Sequence, residues 1–193
     1  MSSNDISQTP DERLLVSVLF IDLIGFSALA DQLDPGDARE VMGDLWDEVL
    51  RIIKEHGGFI AQHLGNSLMV VWGAPESQED DAEQAVRAGL EAIDAVGELR
   101  GPGGKQLQVR IGLATGLVVV GALTGKTSER DQGVIGDTPN LAARLQAQAA
   151  PGTILVSAST RQLLGSGFNL AEEGAYQLKG FAGKTLAWKV LGE

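Results

Sequence analysis

The feature that most constrains the fold is the apolar run RLLVSVLFID at residues 13–22. Valine, leucine, isoleucine and phenylalanine fill most of it, and polar and apolar side chains do not alternate. This composition is typical of a strand that is buried on both faces. The run is shorter than the ~20 apolar residues that a membrane-spanning helix needs. The sequence therefore predicts a central strand that carries Asp22 at its carboxyl end.

Helical spacing and short strand-like segments follow one another along the rest of the chain, which predicts an α+β sandwich with helices packed on one mixed sheet. The predicted helices run over Phe26 to Leu33, from a cap at Asp34 to about His56, over 79–99 with Ser77 as cap, from Thr138 and Pro139 onward, and over 158–164. The predicted strands form a hairpin around Gly65-Asn66, where Asn66 can adopt the left-handed conformation, and a second hairpin over 107–122 that turns at Thr115-Gly116. Further strands are expected at 153–157, 175–179 and 186–191.

Length and composition exclude several classes of protein. The 193 residues predict one domain over 12–193 after a disordered tail over 1–11. The net charge of −11 opposes sequence-independent binding to nucleic acid, and the absence of cysteine excludes disulfides and thiolate chemistry. The polar start lacks the features of a secretory signal, so we expect a soluble, cytoplasmic domain that has no membrane partner.

Asp22 is the first candidate for chemistry because a turn and a helix follow it. A carboxylate at the end of a strand can hold Mg²⁺, and the backbone N–H groups of Ile24, Gly25 and Phe26 can bind phosphate oxygens. Leu23, between them, is given no role. Alone, this pattern also fits an aspartate that merely caps the helix.

Five segments together resemble class III adenylyl and guanylyl cyclases. They are LFIDLIGFSALA, HGGFIAQHLGNSLMVVWGAP, EDDAEQAVRAGL, VRIGLATGLVVVG and VIGDTPNLAARLQ, in the order and spacing of that family, and PGTILVS and QLKGF also agree. The resemblance covers residues 13–191. It implies the ferredoxin-like βαββαβ-type fold of that family, with a mixed, mostly antiparallel sheet.

The resemblance implies a two-ion site for Mg²⁺ or Mn²⁺, held by two aspartates, for attack of the ribose 3'-hydroxyl on the α-phosphorus of a nucleoside triphosphate. Asp22 matches the first aspartate. Asn66 stands at the second, where a neutral amide replaces a carboxylate and should weaken cation binding.

Asn140 and Arg144 lie four residues apart, so they share one face of their predicted helix. The resemblance assigns Asn140 to orienting the ribose and Arg144 to neutralising charge on the α-phosphate, which suits a permanently charged guanidinium. An ordinary solvated pair is the alternative. Lys179 is the first of the weaker candidates for the β- and γ-phosphates, ahead of Lys126 and Arg130.

The positions that read the base depart from the family pattern, because Gln62 and Gly133 stand where adenylyl cyclases usually carry Lys and Asp or Thr. Gln62 could pair with either purine. ATP is therefore expected from abundance and family frequency, and GTP stays open. His56 and His63 lack the spacing of metal ligands and are expected to be structural.

The resemblance further implies a head-to-tail homodimer with two equivalent sites, each using Asp22 of one subunit and Asn140 and Arg144 of the other. It also suggests regulatory domains in a longer parent chain. Two alternatives remain: a degenerate module that binds nucleotide or only dimerises, favoured by Asn66, Gln62 and Gly133, and a ferredoxin-like domain that hydrolyses nucleotide.

Overall fold

The structure is a computed structural model that describes residues 12–99, 104, 106–122 and 132–193. The strands are β1 (Glu12–Ile24), β2 (Phe59–Leu64), β3 (Ser67–Trp72), β4 (Gln108–Ala122), β5 (Gln132–Ile135), β6 (Ile154–Ser157), β7 (Asn169–Tyr176) and β8 (Thr185–Gly192). The helices are α1 (Phe26–Ala30), α2 (Pro35–Glu55), α3 (Asp81–Glu98), α4 (Asp137–Gln148) and α5 (Ala158–Leu163). The predicted tail, Lys126 and Arg130 lie outside the described residues.

The strands form one mixed sheet in the order β2-β3-β1-β4-β6-β8-β7, and β5 pairs with β4 beside this path. Only the pairing of β4 with β6 is parallel among the described strands. The predicted α+β sandwich with a mostly antiparallel sheet is confirmed.

Strand β1 is buried on both faces, as its composition predicts. Its odd-numbered residues, such as Leu19 and Ile21, pack in the main core with residues of α2 and α3. Its even-numbered residues Val16 and Val18 pack with Ala142 of α4. Because successive side chains of a strand point to opposite faces, α4 covers the face of the sheet opposite to α2 and α3.

Two glycines of β4 allow α4 to approach the sheet. A Cβ atom at Gly112 would overlap the backbone of α4 at Ala142 and Gln146, and one at Gly116 would lie 2.5 Å from Thr138 Oγ1. Both glycines lie on the face of β4 that α4 covers. The position of α4 therefore depends on these two residues having no side chain.

The predicted turn at Thr115-Gly116 is wrong, because β4 runs through it as one strand of 15 residues. The reason is β1, which pairs with β4 from Glu12↔Val120 to Ile24↔Gln108 without interruption. The Thr115 hydroxyl also forms hydrogen bonds with those of Ser17 (2.8 Å) and Thr160 (3.0 Å). Gly116 thus marks a contact with a helix and not a turn.

Three other predicted features differ in detail. The strand expected at 175–179 is β7, which spans Asn169–Tyr176. Its sequence is too polar for the apolar pattern to locate, and it forms a strand because it pairs with β8 at the edge of the sheet. Helix α1 ends at Ala30 and not at Leu33. Asp80, and not Ser77, occupies the cap position of α3, and the Ser77 hydroxyl instead donates to Asp81 Oδ2 at 3.5 Å.

The predicted hairpin of β2 and β3 is confirmed, but its left-handed residue is Gly65, with φ of +59°. Asn66 does not adopt that conformation, since no described non-glycine residue has a positive φ. Glycine takes this conformation at lower cost than asparagine, which explains the choice. Within the described parts of the chain, no helix has both the length and the apolar character needed to cross a membrane.

We predict that Gly112→Ala destabilises the fold by about 1–3 kcal/mol, because the added methyl group must push α4 away from β4. Gly43→Ala is the matched control: Gly43 is exposed in α2 and has nothing within 4 Å of its added Cβ. There the same change should stabilise the protein by up to ~1 kcal/mol. Urea unfolding of both variants measures the difference, and equal stabilities would contradict the close approach of α4.

Candidate functional site

Asp22 lies near the carboxyl end of β1, on the face of the sheet that α4 covers. Its cross-strand partner in β4 is Arg110, and the two side chains form an ion pair. Arg110 Nε and Nη2 donate to the same carboxylate oxygen, Asp22 Oδ2, at 3.1 and 3.0 Å. The Asp22 side chain is only 17% exposed, so this pair is partly shielded from water.

Asn66 lies beside the end of β1. Its backbone carbonyl accepts a hydrogen bond from the N–H group of Leu23 at 2.9 Å. Its side-chain amide donates to the carbonyl oxygen of Leu23 at 3.4 Å. Ser67, the next residue, pairs with Asp22 across β1 and β3. The hairpin turn thus places the Asn66 amide next to the strand end that carries Asp22.

The donor chemistry of this pair suits a hard divalent cation, since a carboxylate and an amide oxygen are both ligands that Mg²⁺ accepts. Without a bound triphosphate, these side chains offer little negative charge to a cation. Asp22 supplies one negative charge, Arg110 balances it, and Asn66 is neutral. No group of three or more His, Cys, Asp or Glu residues placed to hold a metal occurs in the described part of the chain.

The predicted phosphate-binding segment is a turn only in part, because Ile24 is the last residue of β1 and lies opposite Gln108 of β4. Gly25 has φ of +81°, a conformation that favours glycine, and α1 begins at Phe26. Helix α1 has only five residues, so its dipole adds little, and the turn would contribute mainly individual N–H groups.

Asn140 and Arg144 are exposed on α4, on the side that does not contact the sheet. The buried residues of the helix are Thr138, Ala142 and Leu145. Asn140 Nδ2 donates to the carbonyl oxygen of Gly136 at 3.5 Å, and Arg144 forms no ion pair with any described residue. The predicted pair therefore projects away from the sheet that α4 covers.

Asp22 and the Asn140-Arg144 pair lie on the same face of the sheet but do not contact each other directly. No hydrogen bond or ion pair links them among the described residues.

Lys179 belongs to the α4 side of the molecule. It is exposed in the segment between β7 and β8, whose Leu178 and Phe181 pack with Leu145 of α4. The segment that carries this candidate phosphate ligand is thus held by the same helix that carries Arg144.

The two predicted base-reading positions lie on β2 and β5. Gln62 is exposed on the edge strand β2, next to an irregularity in its pairing with β3 between Ile60 and Gln62. Gly133 pairs with Gly121 of β4. Strands β2 and β5 approach each other.

The two histidines make structural contacts, as expected. The His63 ring packs edge-on against Trp46, with ring centroids 5.2 Å apart. His56, at the end of α2, forms hydrogen bonds with Gln84 (3.0 Å) and Glu91 (2.9 Å) of α3. Burial alone would lower the pKa of His56, but these hydrogen bonds and the charge of Glu91 raise it on balance.

Arg110 is the site residue that the sequence interpretation missed. Its segment, VRIGLATG, was assigned to a hairpin, and nothing in the sequence shows which residue of β1 lies opposite it. An uninterrupted β1–β4 pairing would have identified the contact, since opposite charges are favourable at directly opposed positions.

Comparison with known proteins supports one family. A sequence model of the adenylate and guanylate cyclase catalytic domain matches residues 9–192. The chain is 35% identical over 184 residues to the uncharacterized protein R02095 of Rhizobium meliloti, covering 94% of this chain and 18% of that protein. It is 31% identical over 189 residues to an adenylate cyclase of Mycobacterium tuberculosis, covering 98% of this chain and 41% of that enzyme.

The fold is also similar to a solved structure. The crystal structure of the guanylyl cyclase Cya2 superimposes with a TM-score of 0.86 at 32% identity, and the match covers 94% of both chains. The chain thus spans less than half the length of the two curated relatives but nearly the whole of this solved chain.

Proposed function

We propose a nucleotidyl cyclase function for this chain, which belongs to the adenylate and guanylate cyclase catalytic domain family. The reaction is the conversion of ATP to cyclic AMP and pyrophosphate, at a site shared between two copies of the chain. A cytoplasmic location, where ATP is abundant, is part of the proposal. So are regulatory domains in a longer parent chain.

One observation carries the proposal. Asp22 and the exposed pair Asn140 and Arg144 lie on the same face of the sheet, yet the pair projects away from the sheet. In this proposal Asp22 anchors the cation-bound triphosphate, and Asn140 and Arg144 contact the ribose and the α-phosphate, as the resemblance implies. Two copies packed through this face would supply both halves to each site, and two-fold symmetry closes such an assembly.

The chain's own residues bind the nucleotide, orient its ribose and neutralise the charge of its phosphates. Asn140 holds the ribose, so that its 3'-oxygen lies in line with the α-phosphorus. A bond forms between these two atoms as the bond from the α-phosphorus to the bridging oxygen breaks. Pyrophosphate leaves with that electron pair, and the proton of the 3'-hydroxyl passes to solvent water. Arg144 stabilises the charge that grows on the α-phosphate in the transition state.

The remaining negative charge lies on the β- and γ-phosphates. The N–H groups of Ile24, Gly25 and Phe26, together with Lys179, would bind these groups. Asp22 and Asn66 would hold the divalent cation, Mg²⁺ or Mn²⁺. When bound, this cation supplies positive charge near the 3'-oxygen and the triphosphate.

The choice of purine rests on Gln62 and Gly133. Gly133 has no side chain that could contact a base, so Gln62 carries the selection within this pair. Its amide offers one donor group and one acceptor and can pair with either purine. ATP is proposed as the main substrate, with GTP as a second one, and an adenylate cyclase and a guanylyl cyclase are both among the relatives.

A second function has a specific observation in its favour. The charge of Asp22 is balanced by Arg110 and Asn66 adds none, so the cation site has little net charge. A module that binds nucleotide, or only dimerises, and regulates an attached domain would tolerate this loss. The two functions differ in whether a cyclic product is released.

The test is a product assay on the wild type and on Asn66→Asp, with ATP or GTP and Mn²⁺. We predict a small yield of cyclic nucleotide and pyrophosphate from the wild type. Asn66→Asp should raise this yield at least ~10-fold, since a second carboxylate strengthens cation binding. Chromatography separates the cyclic product from the diphosphate and free phosphate that hydrolysis would release.

Asn169→Asp is the matched control, because Asn169 is exposed on the edge strand β7 and undergoes the same chemical change there. It should leave the yield unchanged. If neither the wild type nor Asn66→Asp forms cyclic product while both bind nucleotide, the regulatory module replaces the enzyme as the function. Formation of diphosphate and phosphate alone would indicate a hydrolase.

The shared site is tested by mixing two inactive variants, Asp22→Asn and Arg144→Ala. In a mixed dimer one site carries both substitutions and the other carries neither. Random pairing of equal amounts should therefore restore about a quarter of the activity of the parent protein, because half of the dimers have one intact site. If the wild-type yield is too small for a quarter of it to be measured, the parent protein and both variants all carry Asn66→Asp as well.

Each variant alone should stay inactive at every protein concentration. A mixture of Asp22→Asn with Asp22→Asn/Arg144→Ala is the control, since no dimer in it has an intact site. No recovery in the first mixture, with mixed dimers verified by differently tagged subunits, would contradict the sharing of the site between subunits.

A further inference from the structure

The ion pair of Arg110 with Asp22 is the part of the site that the proposed reaction leaves unexplained. Both Arg110 donor atoms contact the same oxygen, Asp22 Oδ2, at 3.0 and 3.1 Å. The two residues are directly opposed in the β1–β4 pairing, so the backbone holds them together. The contact thus belongs to the central ladder of the sheet and not to a loop.

This contact uses the same group that the cation requires. Asp22 is the one acidic residue among the proposed cation ligands, and its side chain is 17% exposed against 35% for Arg110. Partial burial strengthens an ion pair relative to one in open water. A divalent cation that approaches the carboxylate therefore meets a group whose charge is already balanced.

Asn66 does not supply the negative charge that Arg110 balances at Asp22. Its amide is neutral, and its nitrogen already donates to the carbonyl oxygen of Leu23. Phosphate oxygens of a bound nucleotide are then the most strongly charged ligands left for the cation. Without nucleotide, the one anionic group among the proposed cation ligands is the Asp22 carboxylate, which is paired with Arg110.

We propose that Arg110 competes with the divalent cation for Asp22, so that the nucleotide-free protein binds Mg²⁺ or Mn²⁺ weakly and acquires the cation together with the triphosphate. Arg110 acts in this as a positioning residue, because its effect passes through Asp22. The inference rests on the proposed function in one respect, the assignment of Asp22 to the cation.

The experiment titrates Mn²⁺ alone into the nucleotide-free protein and follows free Mn²⁺ by its paramagnetic resonance signal. Arg110→Gln removes the charge but keeps a polar side chain of similar reach. It should tighten Mn²⁺ binding about 3- to 10-fold, which corresponds to the loss of one partly shielded ion pair. Arg110→Lys, which keeps the charge without the paired donors, should give a smaller gain.

Arg39→Gln is the matched control for charge, since Arg39 is exposed on α2 and makes no ion pair with any described residue. It should leave Mn²⁺ binding unchanged. The double variant Asp22→Asn/Arg110→Gln should lose the gain, because the carboxylate is gone. Equal binding by Arg110→Gln and the wild type would overturn the proposal, as would a gain that persists in the double variant.

The outcome is separable from that of the proposed function, because the titration contains no nucleotide and measures no product. A chain that forms no cyclic nucleotide can still show the Arg110 effect. A working cyclase without the effect would contradict only this inference. If Arg110→Gln fails to fold, the Arg110→Lys titration decides, and no gain there overturns the proposal.

Discussion

The uninterrupted pairing of β1 with β4 is the constraint on which the rest of the structure depends. It places β1 in the middle of the sheet and Asp22 opposite Arg110. It also keeps β4 extended through Gly112 and Gly116, the two glycines over which α4 packs. Because α4 lies directly on Gly112 and Gly116, its outer side carries Asn140 and Arg144 away from the sheet. The candidate site is thus a consequence of how one pair of strands and one helix pack together.

The electrostatics of the site follow from the same pairing. In a chain of net charge −11, a triphosphate needs local positive charge, and the cations that we propose for it, Arg144 and Lys179, lie on α4 and on the β7–β8 segment. The proposed cation site lacks negative charge, since Arg110 balances Asp22 and Asn66 is neutral. Both the weak activity that we propose and the competition by Arg110 come from this balance of one negative and one positive charge.

The sequence predicted the element types well where apolar spacing was regular, as in β1, α2 and α3. It failed at Thr115-Gly116, because the sequence does not distinguish a glycine that lets a helix pack closely on a strand from a glycine in a turn. It also misplaced β7, whose polar residues are paired by β8. Asp22 was a candidate from its place at the end of an apolar strand, and motif resemblance supplied the roles of Asn66, Asn140 and Arg144. Arg110 required the strand register, which single-sequence patterns do not contain.

The central claim is that one nucleoside triphosphate lies between Asp22 of one subunit and Asn140 and Arg144 of another. The most direct measurement is a crystal structure with Mn²⁺ and an ATP analogue that cannot cyclise, with the manganese located by anomalous scattering. We predict manganese at Asp22, in contact with the phosphates, and the partner's Arg144 at the α-phosphate. Manganese bound elsewhere, or a nucleotide contacted by a single subunit, would contradict the account.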